Sequence, residues 1–204
     1  MVKNYLQYNW DPVINFECGG ELYYNKYLKN PTWPGGASGI TIGIGADLGY
    51  MSISEFDKYF ANFFSTPERA RLKAVIGKKG SSAKQHVLKL KDIELNWIDA
   101  KKIFIAWTLP KFWSLTNKIW PGINYLCESA QVALVSVVFN RGASISGPNR
   151  VEMANIKKYV ALKDYNKIAK EIRSMKRLWL DKNMKGLVKR REDEAILVQK
   201  CLTV

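Results

Sequence analysis

Apolar residues recur at helical spacing along most of this chain, and they alternate with a period of two in one place. Between Asn30 and Gly49, a stretch rich in Pro and Gly, the residues Ile40, Ile42 and Ile44 alternate with Thr41, Gly43 and Gly45. This pattern predicts a strand entering a tight turn. Upstream, Asp11-Pro12 marks a helix start, with Asp as N-cap and Pro at the first helical position, and Gly19-Gly20 ends that helix. Downstream, Ser52 and Glu55 have the spacing of a capping box, opening a helix that carries Phe56, Tyr59, Phe60, Phe63 and Phe64. At helical spacing these aromatics read as core. Thr66-Pro67 starts another helix, and further helices fit residues 82–90, 97–119 with a kink or break at Pro110, 128–141, 150–161, 164–177 and 184–201. The fold class is α+β, a small β-hairpin element beside a predominantly helical lobe. No repeat or long linker interrupts it, so residues 1–204 read as one domain, with a helix/β lobe over about 10–50 and a helical lobe over about 52–204.

Composition narrows the chemistry. The 204 residues are 47% hydrophobic, with seven Trp, ten Tyr and eight Phe, which describes an ordered globule. A net charge of +14 favours polyanionic partners, whether nucleic acid, acidic lipid or acidic wall polymer. The basic residues are spread out, with short clusters at Lys157-Lys158 and Lys189 to Arg191, so no arm dedicated to nucleic acid stands out. No apolar run approaches the ~20 residues of a bilayer span, and Met1 to Trp10 lack an apolar signal core, so delivery by a non-classical route is expected. Cys18, Cys127 and Cys201 are odd in number and lack paired short spacing, which reads as reduced, mostly buried thiols. A single histidine, His86, excludes a multi-histidine metal site, and no cofactor is expected.

Glu17 falls near the end of the first predicted helix, where the negative end of the macrodipole opposes a carboxylate charge; that suits a proton donor. Asp47 is a further acid beyond the apolar alternation, and Thr41 within it offers a rotamer-limited hydroxyl suited to orienting a small molecule. Alternatives stay open for each residue. Glu21 is a rival acid beyond Gly19-Gly20, and Asp47 before Leu48-Gly49 also fits a turn-forming Asp. Because six residues of extended chain cover roughly 20 Å, Gly43 and Gly45 must reverse the chain if Asp47 is to return beside Thr41.

Glu17 followed by Cys18-Gly19-Gly20, then Thr41-Ile42-Gly43-Ile44-Gly45, resembles the phage-type lysozymes, in which a helix-borne Glu precedes a Thr-Ile-Gly-x-Gly turn. The phage endolysins place their second acid between the Glu and the Thr, where this chain has Glu21 but no Asp. The order Glu17, Thr41, Asp47 is instead similar to the lysozyme-like bacteriocin pesticin and to lysozyme domains of phage tails. Later blocks also look like the family's cleft-lining and closing-helix signatures: Phe139-Asn140-Arg141-Gly142, Gly147, Arg150, and Gly186 to Arg191.

The resemblance implies a muramidase cleaving the β-1,4 bond between N-acetylmuramic acid and N-acetylglucosamine, with inversion, in an antibacterial or phage lytic setting. Glu17, Thr41 and Asp47 are then catalytic. Asn140 and Arg141 become candidates to bind sugar, and Arg190 or Lys189 the basic group that the family brings toward its Glu. A helix cap followed by Gly142 is the competing reading of Asn140-Arg141, and an ordinary solvated charge run that of Lys189-Arg190. The implied partner is bacterial peptidoglycan, met by a monomer with no membrane span and no specific nucleic acid, with an immunity or inhibitor protein as a further expected partner. Two other classes remain for comparison: a catalytically silent wall-binding module of the same fold, and a basic nucleic-acid-binding helical protein, for which steep salt-dependent DNA binding is the discriminating observation.

Overall fold

The computed structural model describes residues 4–203. Residues 1–3, part of the stretch that lacks an apolar leader core, lie outside them. The chain forms two compact units, one spanning Ile14–Leu109 and the other running from Pro110 onward together with the N-terminal stretch up to Val13. The expected α+β class holds: among the described residues the sheet is a single two-stranded antiparallel pair, and helices supply most of the remaining structure. None of these helices is long and apolar enough to cross a membrane.

Helix α1 (Asp11–Cys18) enters the Ile14–Leu109 unit at Ile14 and leads to α2 (Glu21–Tyr27), then to strands β1 (Thr41–Ile42) and β2 (Ala46–Asp47). Helices α3 (Ile53–Tyr59), α4 (Thr66–Lys73), α5 (Gly80–Lys84) and α6 (Trp97–Ile103) follow. The Ser52 capping box forms as its spacing predicts: Glu55 N donates to Ser52 Oγ at 3.2 Å and Ser52 N donates to Glu55 Oε2 at 2.9 Å. Phe56 and Phe60 are fully buried and their rings stack at 5.9 Å, while Phe60 meets Trp107 edge-on at 5.3 Å. These aromatics are core.

Two helices differ from expectation. Residues 82–90 break into α5 and a 3-10 turn at Val87–Leu90, because Ala83 and Leu90 alone are buried there and a continuous helix would have almost no apolar face to bury. The helix expected over 97–119 passes through a π turn at Phe104–Thr108 before α7 (Leu109–Ile119). Leu109 N donates to Phe104 O, five residues back, immediately before Pro110, which has no N–H to continue the α pattern.

The other unit packs α7 with α8 (Glu128–Arg141), α9 (Val151–Leu162), α10 (Tyr165–Ser174) and α11 (Lys185–Gln199). Every residue of α8 from Ala130 to Val138 is buried, as in a helix that lies inside a bundle, and α11 packs against both α8 and α10. Tyr5 stacks on Trp113 at 4.3 Å, tying the N-terminal stretch to α7. The cysteine expectation is corrected here. Cys127, which precedes α8, forms a disulfide with Cys201 in the 3-10 turn Lys200–Leu202 after α11, with Cα atoms 5.9 Å apart. Folding brings together residues 74 positions apart, a pairing that local spacing does not signal. Cys18 remains a buried thiol.

Candidate functional site

Glu17 is the penultimate residue of α1 and is half-buried. The helix stops where expected: Gly19 N donates to Asn15 O at 2.9 Å, and Gly20 serves as the N-cap of α2. Glu21, the rival acid, is consequently the exposed first residue of a separate helix and does not sit one turn further along α1. Next to Glu17, Cys18 donates from Sγ to Ile14 O at 3.1 Å, and burial pushes its thiol pKa up, which keeps it an inert thiol.

The chain reversal required of Gly43 and Gly45 is present. Strands β1 and β2 pair antiparallel with Thr41 opposite Asp47 and Ile42 opposite Ala46, and the intervening Gly43 and Gly45 have φ of +59° and +78°. Side chains with a Cβ rarely adopt that backbone, so the sequence places glycine where the turn needs it. Thr41 is fixed on both sides, because Thr41 N donates to Thr32 O at 2.7 Å and Thr32 N donates to Thr41 O at 2.9 Å. Ile40, Ile42 and Ile44 are buried beneath the hairpin, while Thr41 and Asp47 are half-buried.

The Asp47 carboxylate accepts from Gly49 N at 2.7 Å through Oδ1 and from Gly39 N at 3.0 and 3.1 Å through its two oxygens. This is the turn-forming arrangement that its position before Leu48-Gly49 allows, and it begins the 3-10 turn Leu48–Tyr50. A Cβ on Gly39 would lie 2.4 Å from both Asp47 Oδ1 and Gly49 N, so close approach of the two backbones demands glycine there. Sequence reading missed Gly39; its signal was the small residue one position before the apolar alternation begins. The hairpin thus brings Thr41 and Asp47 together on a braced rung, and it does so in the unit that also contains Glu17.

In the other unit, α8 ends at Arg141 with Gly142 as its C-cap, and Asn140 is exposed, its Oδ1 accepting from Arg191 Nη2 at 3.3 Å. Arg141 lies over the Trp179 ring at 5.1 Å and donates to Asn149 O, while its own carbonyl accepts from Arg150. Arg190, the remaining substrate candidate, lies within α11. It is 5% exposed and donates to Glu194 Oε1 at 3.1 Å, to Ser136 O at 3.0 Å and to Ser136 Oγ at 3.0 Å. Lys189 pairs with Asp193 at the surface. Glu194, missed in the sequence, is fully buried between Arg190 and Arg191, with Arg191 Nε 2.9 Å from its Oε2 and Ser136 Oγ donating at 2.5 Å. Burial pushes the Glu194 carboxyl up, while the Arg191 and Arg190 charges oppose that shift. The i, i+4 spacing of Arg190 and Glu194 was the available signal, but it equally describes a surface pair.

The model of a known family, described as phage lysozyme, matches residues 75–194, more than half of the 204-residue chain. The matched stretch includes Asn140, Arg141, Arg190 and Glu194 and begins after Asp47. No curated protein matches the chain.

Proposed function

The chain belongs to the phage lysozyme family, whose activity is peptidoglycan hydrolysis, and from that premise we propose that it cleaves the β-1,4 bond between N-acetylmuramic acid and N-acetylglucosamine. The observation that carries the assignment of residues is the rung that pairs Thr41 with Asp47 across the Gly43–Gly45 turn. Glu17 donates a proton to the leaving oxygen, and Thr41 and Asp47 hold the water that attacks the opposite face of the sugar, so the new reducing end forms with inversion. Bracing by Gly39 and Gly49 contributes orientation, since a water-positioning carboxylate works only while its oxygens stay fixed. Asn140 and Arg141 are the proposed donors to sugar amides and hydroxyls, and Arg191, which shares the buried Glu194 with Arg190, holds the Asn140 side chain.

The cationic surface suits a wall rich in carboxylates and acidic polymers. The Cys127–Cys201 disulfide supports action outside a reducing cytoplasm, after delivery to the wall of a target cell as a lytic or antibacterial enzyme. Purified wall digested with the wild-type chain and with Glu17→Gln tests the proposal. Loss of roughly 10²- to 10⁴-fold in turnover at unchanged thermal stability is expected, because the amide keeps shape and cannot donate the proton. Near-wild-type turnover in Glu17→Gln, or loss confined to Glu21→Gln, would overturn the assignment. NMR of the first product tests stereochemistry: the α anomer signifies inversion and the β anomer retention.

A further inference from the structure

The unit that runs from Pro110 onward holds an open cavity of about 290 Å³ lined by Arg141, Asn149, Arg177, Leu178, Trp179 and Lys182. Among the described residues that line it, half are cations and none is acidic. Glu152, 4% exposed, takes one side of Arg177, with Nε to Oε1 at 2.5 Å and Nη2 to Oε2 at 3.2 Å. Set against the three cationic side chains among the described lining residues, that carboxylate leaves a surplus of positive charge. Arg141 is held over the Trp179 ring by stacking and by its bond to Asn149 O, and its buried Nε has no hydrogen-bond partner among the described residues. A buried charged group without full hydrogen bonding is costly, and a negative charge nearby lessens that cost through space, although Nε itself does not open into the cavity.

Two further features favour an anion. Burial first, and then the Arg150 charge, pull the Arg141 guanidinium below its ordinary value, with Glu152 opposing the shift and Arg177 adding to it, and a bound negative charge works against that lowering. The cavity also adjoins the start of α9: Asn149 belongs to the 3-10 turn Pro148–Arg150 that runs into it, and no side chain caps the first turn of that helix. A helix start of this kind adds partial positive charge.

We propose that this cavity is a binding site for a phosphate group, carried by an anionic polymer or by a small phosphorylated compound. A phosphate, with its several oxygens, suits guanidinium forks and an ammonium better than a single carboxylate does. The cavity is larger than the anion, leaving room for an attached polyol, and its mainly polar lining does not offer the exposed ring face that an aromatic ligand needs, since Trp179 is 8% exposed.

The cavity shares Arg141 with the proposed sugar contacts, and its test therefore reads phosphate binding and not glycan cleavage. The indole N–H resonance of Trp179 is followed by NMR as inorganic phosphate, glycerol phosphate or a glycerol-phosphate polymer is added at constant ionic strength. A saturable shift in the millimolar range is expected, weakened at least about fivefold by Lys182→Glu and by Arg177→Gln, with Lys182, an exposed residue, leaving the fold intact. A polymer that displaces inorganic phosphate from this resonance identifies a polymer as the source of the phosphate; one that fails to displace it identifies the small compound. No saturation, saturation unchanged in both variants, or tighter saturation by glutarate than by phosphate would overturn the site.

Discussion

Thr41 and Asp47 are direct partners on one rung of the β1–β2 hairpin, although six positions separate them in the chain. Asp47 is at the same time bonded to the backbone amides of Gly39 and Gly49, so one carboxylate shapes the turn and stands beside the proposed water-holding threonine. Asp47→Asn separates these duties. The amide keeps one acceptor oxygen and turns an N–H₂ group toward backbone donors, which is expected to cost about 1–3 kcal/mol in stability by urea unfolding. If Asp47 also serves the reaction, turnover falls at least ~100-fold while the protein is still folded at the assay temperature. Activity loss no larger than the unfolded fraction would leave Asp47 a turn residue alone.

Gly39→Ala tests the bracing itself. Its added methyl would lie 2.4 Å from Asp47 Oδ1 and from Gly49 N, a backbone atom that cannot swing away. Displacement of the loop is expected to destabilise by about 1–3 kcal/mol, as for other overpacked positions. Turnover should fall with it, because the Asp47 oxygens lose their donors. Wild-type stability and turnover in Gly39→Ala would show that the carboxylate is not held as described.

The Cys127–Cys201 bridge closes a loop of 74 residues that contains α8 to α11. Reduction, or Cys201→Ser, is expected to lower stability by about 2–4 kcal/mol through the freedom regained by the unfolded chain. Differential scanning calorimetry with and without reductant measures this directly. Cys18→Ala should leave both the transition and turnover close to wild type, since Cys18 makes its contact within α1. A transition indifferent to reductant would contradict the bridge.

What the sequence made legible were features that depend on a few neighbouring residues. The Ser52–Glu55 box, the stop after Arg141 at Gly142 and the reversal at Gly43 and Gly45 each follow from local backbone chemistry, and each is present. Contacts across the fold were not legible. Lys189-Arg190 also fits a solvated charge run, Glu194 drew no notice, and the burial of Arg190 and Glu194 is decided by how α11 lies against α8, a packing that residues 189–194 do not encode on their own. The disulfide and the cationic cavity around Trp179 escaped notice for the same reason: Cys127 meets Cys201, and Arg141 meets Trp179, only once the helices have packed. The π turn before Pro110 lies between these cases, because a proline announces a disruption without specifying which one the helix adopts.

The most direct test of the central claim is the identity of the reducing end released from purified peptidoglycan. Products reduced with borohydride and separated by mass spectrometry should carry muramitol, from newly exposed N-acetylmuramic acid, in the wild-type digest and be absent from the Glu17→Gln digest. Glucosaminitol ends, free peptides without new reducing sugars, or muramitol released equally by Glu17→Gln would contradict the account.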